Sequence, residues 1–545
     1  MVEGKKLWDK EITEGLYEKT LSDGMTIEIY KEIPDSLYET LEKTARHLPN
    51  HPAITDHYGR NYTYQDFLER CGELAAYLYW ERGVCQGSHV GLLMHTCFEF
   101  CTAFFALNRL GAVAVLLPGK FERAEILPLA EKAEIDLIIC DRDYAKWFYG
   151  VYPSECLLTV SGIEDGYGFR EAYEGWTMLR KERQIEELRM KPLGTLEIPA
   201  ILMFTSGTTS MSKGVVLKNY NVMHAVESYR RILHITEKDI SVIAAPIYHV
   251  TGLVALLGLF VHAGGHLYLH KFFDAKRVVK EARQYGFTFI HASPTIFNLL
   301  LQAGENIPEI PGLRSFACGS SNMPKEKLTE VHRWLPKSRF HTVYGLTETS
   351  SPAAIFPDDA ALSERIGSSG RPIPGTRFKI VDDDGKELLP GQVGEVAISG
   401  TVVLSSYYKQ DSENLKGGWL YTGDLGYMTD DHYLYIVDRK KNMINRGGEK
   451  IWCYDVENEL AEIEGIQDSA VVGIPDELYG EVAAAVVRLK AGCTLTEQEI
   501  QKRLRTRMAG YKIPVKIKRV DCVPQTANGK TDKRKIRSLL MEEDI

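Results

Sequence analysis

Between residues 89 and 141 three compact apolar runs, HVGLLM, AVAVLLP and DLIICD, alternate with stretches of helical spacing such as CTAFFALNRLG. Apolar runs of strand length separated by helices are the pattern that builds a parallel sheet with helices on its faces. A second alternation runs from about 216 to 345, after the strand-like IPAILMF. Ahead of the first, residues 36 to 83 read as a helix, a short strand pair and another helix, with apolar positions recurring at helical spacing. From Ile366 to Gly400 the texture changes: Pro-Gly, Asp-Gly and Pro-Gly mark successive turns between short strands, as in a small antiparallel β-barrel. The last hundred residues mix a helix at DVENELAEI, strands at DSAVVGIPD and EVAAAVVRLK, and a basic helix at EQEIQKRLRTRM. The expected class is α/β. A large N-terminal domain, residues 1–437, holds two doubly wound α/β subdomains and the barrel, and a smaller α+β domain, residues 438–545, follows a boundary near Asp438 to Lys441.

A chain of 545 residues exceeds one ordinary core of about 100 to 200 residues, so several subdomains are expected. Sixty-five basic against 74 acidic side chains leave a net charge of -9, no general field for a phosphate backbone, and no nucleic acid is expected as partner. The segment MVEGKKLWDKEITEGLYEK lacks the apolar centre of a secretory signal. The longest nearly apolar stretch, Gly252 to Gly265, is 14 residues, short of the ~20 that span a bilayer, and reads as a buried helix. Ten scattered cysteines without a CxxC pair fit reduced thiols in a cytoplasm. His262, His266 and His270 recur every fourth residue, but Gly264 and Gly265 break that helix and HLYLH alternates as a strand, so they do not read as a metal site.

The chemistry-bearing segments begin at Phe204-Thr205-Ser206-Gly207-Thr208-Thr209-Ser210-Met211-Ser212-Lys213-Gly214, hydroxyls beside glycines and a lysine directly after a strand. Backbone N–H groups, hydroxyl donors and one ammonium are the groups that bind a polyphosphate. It is not a Walker loop, because Ser212 precedes the lysine and strand follows it. Tyr344-Gly345-Leu346-Thr347-Glu348 offers an aromatic face, a hydroxyl and a carboxylate, suited to adenine, phosphate and Mg2+. Trp419 to Asp424 puts a carboxylate after a tight Gly turn, as would suit the hydroxyls of a ribose. Taken singly, each is also an ordinary loop or turn. Two more segments, Asp438 to Lys450 (DRKKNMINRGGEK) and Pro524 to Lys530 (PQTANGK), complete the series.

In this order and at these separations the five segments resemble the adenylate-forming (AMP-binding) superfamily of acyl-CoA synthetases, peptide-synthetase adenylation domains and luciferases, over nearly the whole chain. A PxxHxxG segment, Pro246, His249 and Gly252, lies between the first two. The resemblance implies that Thr205, Ser206, Gly207, Thr208, Thr209 and Lys213 meet the phosphates of ATP. Gly319, Ser320, Ser321, Tyr344 and Gly345 match the adenine pocket, Thr347 the α-phosphate contact and Glu348 the Mg2+ ligand. Asp424 with Arg439 matches the ribose clamp and Lys530 the lysine of adenylation. Lys441 matches the pivot on which the small domain rotates, and Gly447, Gly448 and Lys450 the loop that swings in beside the thiol. His249 stands where the family keeps a gate over the acyl pocket. Ser210 and Ser212 replace a Gly and a Pro of the usual phosphate loop, removing no donor. The implied activity is a carboxylate–CoA ligase that uses ATP, Mg2+ and CoA, acting in the cytoplasm. One alternative is an aryl-acid adenylation enzyme that loads a carrier protein: INRGGEK resembles such enzymes, but Val250 stands where they place an Asn after the gate His. A second, a non-catalytic nucleotide-binding relative, is opposed by the retention of Lys213, Glu348, Asp424, Arg439 and Lys530.

Overall fold

The structure, a computed structural model, describes residues 1–161, 168–182, 193–205, 212–244, 246–304, 307, 309–319, 325–447, 449–526 and 531–542. The first alternation forms a six-stranded sheet in the order 213–218, 199–205, 113–116, 89–93, 137–141, 157–160. It is parallel apart from the hairpin at one edge, where Pro199–Thr205 and Lys213–Lys218 run antiparallel with Thr205 opposite Lys213. Helix Phe98–Leu110, buried along its whole length, covers one face together with Tyr64–Arg82. Local chemistry sets the ends of these helices. The Thr63 side chain accepts from Asp66 N–H while the Asp66 carboxylate accepts from Thr63 N–H, and Gly83 closes the helix at φ +68°, where a side chain would be strained.

The second alternation divides between two sheets. Ile240–Ile243 and His266–Leu269 join the early strand pair Pro52–Thr55 and Asn61–Thr63, while Phe289–Ala292, Ser315–Cys318 and Arg339–Tyr344 run parallel in a five-stranded sheet. Thr288 N–H donates to Ile240 O across their adjoining edges. The apolar stretch after His249 is a buried helix with a π-helical segment at Leu253–Gly258, and Gly264 ends it at φ +80°. The antiparallel unit is a six-stranded sheet of Val2–Glu3, Thr376–Val381, Gly394–Gly400, Trp419–Met428 and Leu415–Lys416, with Leu434–Arg439 also paired to Trp419–Met428. Beyond it, Ile466–Asp476 and Gly480–Leu489 form the long hairpin of a five-stranded sheet, backed by helices Cys453–Ala461 and Lys533–Met541 and with its own buried apolar cluster. Among the described residues no helix is long and apolar enough to cross a membrane.

Each of the three histidines has its own partner. His262 Nε2 lies 2.8 Å from Glu227, His270 Nε2 2.7 Å from Glu281, and His266 Nε2 2.7 Å from the Thr55 hydroxyl. Among the described residues nothing gathers three metal-ligating side chains.

Candidate active site

Three centres carry the site residues that the structure describes. In the first sheet Thr205 and Lys213 are cross-strand partners at the end of the hairpin. Because Pro199–Thr205 is parallel to Val113–Leu116, Thr205 and Lys213 stand at the carboxyl edge of the sheet, where α/β folds place ligands. Lys132 donates to Ser212 O at 2.7 Å. Lys213 Nζ donates to Ser412 Oγ at 3.0 Å and sits 5.3 Å from the centroid of the Tyr407 ring.

The second centre follows Arg339–Tyr344. Thr347–Thr349 makes a 3-10 turn in which Leu346 N–H donates to Thr349 Oγ1 at 2.9 Å. A Cβ on Gly345 would lie 3.1 Å from that same hydroxyl oxygen, and one on Gly319 3.1 Å from Val343 O, so both positions bring backbones close together. Glu348 is half-buried; its backbone carbonyl accepts from Leu404 N–H at 2.9 Å and its Oε1 from the Tyr407 hydroxyl at 3.3 Å.

The third centre is a clamp. Asp424 and Arg439 are opposite residues on adjacent strands, with Arg439 Nε 2.7 Å from Asp424 Oδ1, and the Tyr344 hydroxyl donates to Asp424 Oδ2 at 2.9 Å. The carboxylate is 5% exposed and the guanidinium side chain 40%, so the pair has a dry side and a wet side. Burial, with the charge of Asp424 added, pushes the Tyr344 phenol well up, which keeps it a donor. The tight turn expected before Asp424 is absent: Trp419–Met428 is one strand whose register shifts on both flanks, and Gly423 takes φ +70° inside it. The bulge, not a turn, aims the carboxylate. Thr422 supports it, donating to Val396 O at 2.8 Å and accepting Asp424 N–H at 3.1 Å.

The remaining positions lie further along. His249 starts the helix at Val250, its ring 4.7 Å from that of Tyr248. The PxxHxxG spacing has a steric basis, since a Cβ at Gly252 would stand 2.7 Å from Pro246 O. Lys441 is exposed in the 3-10 turn Lys440–Asn442, and Lys440 pairs with Asp383 at 2.9 Å and Glu395 at 3.3 Å. Gly447, at φ +57°, donates to Tyr479 O at 2.8 Å, while the Arg446 guanidinium stacks 3.9 Å above the Tyr479 ring. Lys450 is exposed on Glu449–Ile451. Ser206, Gly207, Thr208, Thr209, Ser320, Ser321, Gly448 and Lys530 lie outside the described residues, as does Ser210. The residues flanking Lys530 and its masked neighbours meet each other, through the Gln525–Thr531 bridge and Asp532 N–H donating to Pro524 O at 2.8 Å. Tyr407, Ser412 and Thr422 were not legible as site residues; the one signal for the first is a Ser-Ser-Tyr-Tyr run after the strand Gly394–Gly400.

A buried carboxylate joined to a guanidinium and a phenol suits a ribose, and an ammonium near a second carboxylate suits metal-bound phosphates. The model of the AMP-binding enzyme family matches residues 41–408, and that of the AMP-binding enzyme C-terminal domain matches residues 455–530. The chain belongs to the AMP-binding enzyme family. It is 31% identical to the 2-succinylbenzoate–CoA ligase of Bacillus cereus, over 84% of this chain and 90% of the relative. It is 28% identical to the long-chain-fatty-acid–CoA ligase of Salmonella typhimurium, over 94% and 95%. The solved o-succinylbenzoate coenzyme A synthetase of Bacillus subtilis, in complex with ATP and magnesium ion, superimposes with a TM-score of 0.78 at 26% identity, covering 92% of this chain and 99% of that one. As an AMP-binding enzyme the chain is an AMP-forming acid–thiol ligase.

Proposed function

We propose that this AMP-binding enzyme activates a carboxylic acid with ATP and hands the acyl group to the thiol of CoA, with the residues above in defined roles. The observation that carries the reading is the pairing of two centres: the Tyr344–Asp424–Arg439 clamp and the Lys213–Tyr407–Glu348 cluster. Attack of a carboxylate on the α-phosphorus brings two anions together, so the protein contributes positioning and positive charge. In the first half-reaction the acid's oxygen forms a bond to phosphorus and pyrophosphate leaves; in the second the CoA sulfur attacks the acyl carbon and AMP leaves. Asp424 would hold the ribose hydroxyls, with Arg439 and Tyr344 fixing its orientation. Tyr344 and Gly319, with Ser320 and Ser321, would line the adenine site. Lys213, Thr205 and the loop hydroxyls would hold phosphate oxygens, Thr347 the α-phosphate, and Lys530 would neutralise charge at the reacting centre.

A hard dication prefers oxygen anions, and Glu348, half-buried with one oxygen committed to Tyr407, leaves the other as such a ligand. When bound, Mg2+ would supply neutralising charge on the phosphates. Lys441 is proposed as the pivot between domain 1–437 and domain 438–545, and Gly447, Gly448 and Lys450 as the face presented to the thiol in the second step. His249 would gate the acyl pocket.

Pyrophosphate release measured across aliphatic, aryl and amino acids, with and without CoA, tests the reading. The expected result is acid-dependent pyrophosphate release and a CoA thioester. Acyl-adenylate made from the best acid without thioester at about millimolar CoA, a concentration that saturates most enzyme sites, would replace CoA by a carrier protein as acceptor.

A further inference from the structure

The segment 404–412 crosses from one charge centre to the other. Leu404 N–H donates to the Glu348 carbonyl at 2.9 Å, Tyr407 forms an isolated bridge with Val215, Tyr408 N–H donates to Gly214 O at 2.8 Å, and Ser412 Oγ accepts from Lys213. Its outer end is tethered as well, since Lys409 forms an ion pair with Glu134 and Tyr408 donates to the same carboxylate at 3.4 Å. Tyr407 stands at the middle, 5% exposed, with its hydroxyl on Glu348 Oε1 and its ring face toward the Lys213 ammonium. One side chain thus touches the acidic and the basic group of a site whose ligand is both a polyanion and a cation.

We infer that Tyr407 is a positioning residue for metal-bound ATP: its hydroxyl fixes the rotamer of the Glu348 carboxylate so that the second oxygen faces the metal, and its ring restrains Lys213. The physical basis is that a hydrogen bond to a carboxylate costs a metal ligand nothing when it uses the other oxygen, and it removes the torsional freedom that binding would otherwise have to freeze. The ring contributes a cation–π attraction that places the ammonium without competing for its hydrogen bonds. Nothing about Tyr407 requires it to touch the substrate. The inference rests on the assignment of Glu348 as the metal ligand.

The test uses the full chain with ATP and no acid, and Mn2+ as the metal probe, its free concentration read from the electron paramagnetic resonance signal. Tyr407→Phe keeps the ring and the packing and removes only the hydroxyl; it should raise the Mn2+ dissociation constant about 3- to 10-fold, the range of one ordinary hydrogen bond, as suits a contact of 3.3 Å. Thioester formation from supplied acyl-adenylate should keep its rate. Glu348→Gln should raise the same constant further, and adding Tyr407→Phe to it should do no more harm, because the hydroxyl acts through that carboxylate. Unchanged Mn2+ affinity in Tyr407→Phe beside a weakened Glu348→Gln would overturn the role of Tyr407 and leave Glu348 in place. So would a full additive loss in the double variant. Unchanged affinity in Glu348→Gln would remove Glu348 as the ligand, and the inference with it. Tyr407→Leu, which also loses the ring face, should raise the KM for ATP beyond the value of Tyr407→Phe at saturating Mg2+; equal values would overturn the part assigned to Lys213.

Discussion

Arg439 ends a strand opposite Asp424 on the neighbouring strand, and its guanidinium is committed to that carboxylate. Lys441, two residues later, is exposed in a single 3-10 turn, Lys440–Asn442. Between them the chain leaves one sheet for another, and Asp438 marks the border by accepting Cys453 N–H at 2.7 Å from the far side. The contrast separates two kinds of work. Groups that hold a nucleotide through both half-reactions need unchanging geometry, which ladder hydrogen bonds and burial provide. The proposed pivot needs a few torsions free to change while both sides stay packed, and one short turn suits that need.

The sharpest way to break this division is to remove the charge proposed to serve only one half-reaction. Lys530→Ala should slow adenylate formation by about 10²- to 10³-fold, as when one preorganised donor at a developing anion is lost. Thioester formation from supplied acyl-adenylate should be largely spared. Equal damage in single-turnover assays of the two steps would make Lys530 structural. Lys441→Pro attacks the proposed pivot, because proline fixes φ near about -65° and removes an N–H. One domain orientation should become inaccessible, with thioester formation falling on the order of 10- to 100-fold and adenylation retained. Wild-type rates in both steps would take Lys441 out of the hinge.

Asp424→Asn tests the opposite region. The amide keeps the shape but loses the charge that Arg439 and Tyr344 address, so the KM for ATP should rise by about tenfold, the scale of one charged hydrogen bond. Unlike the other two variants it should weaken both half-reactions together, since acyl-adenylate carries the same ribose. A loss confined to one step would mean that the clamp is not shared.

The same contrast explains what was legible from the sequence. Apolar runs mark the central strands of the first sheet and the buried helix after His249, because burial on both faces leaves a local mark, whereas the edge strand Leu157–Val160 left none. Gly264 breaks the histidine series in the sequence as it does in the fold. The motif locates Asp424 but not its setting: a Gly before an Asp signals a turn locally, and only pairing with Gly394–Gly400 and Leu434–Arg439 makes it a bulge. Tyr407 leaves no such mark. Its partner Glu348 is 59 residues away and Lys213 is 199 residues from Ser412, and no local pattern encodes contacts of that range.

A finer test concerns the contact between the two domains rather than either centre. Glu326, in helix Lys325–Trp334 of the large domain, lies against Glu462, which ends helix Cys453–Ala461. Burial first, and the hydrogen bond and charge of Glu462 next, push the Glu326 carboxyl from 4.5 up to about 7, opposed by Lys325. Glu462 is the partner that stays ionised, held down by its hydrogen bond with Glu326 and by Arg507, 3.1 Å away and also 3.5 Å from Glu459. A raised carboxyl value means that the folded state keeps a proton the unfolded chain has already released. Stability from the raised Glu326 carboxyl should therefore be present below about 4.5 and decline as pH rises toward about 7, with no further change above. The melting temperature should fall by a few degrees over that window through this pair, and Glu326→Gln, which is neutral throughout and can still donate to Glu462, should flatten that part of the profile. Because the pair bridges the domains, the same variant should shift the balance between the two half-reactions at about pH 8, above the window in which Glu326 titrates, while leaving the KM for ATP unchanged. A melting profile of Glu326→Gln parallel to wild type across the window would show that the two carboxyls do not share a proton.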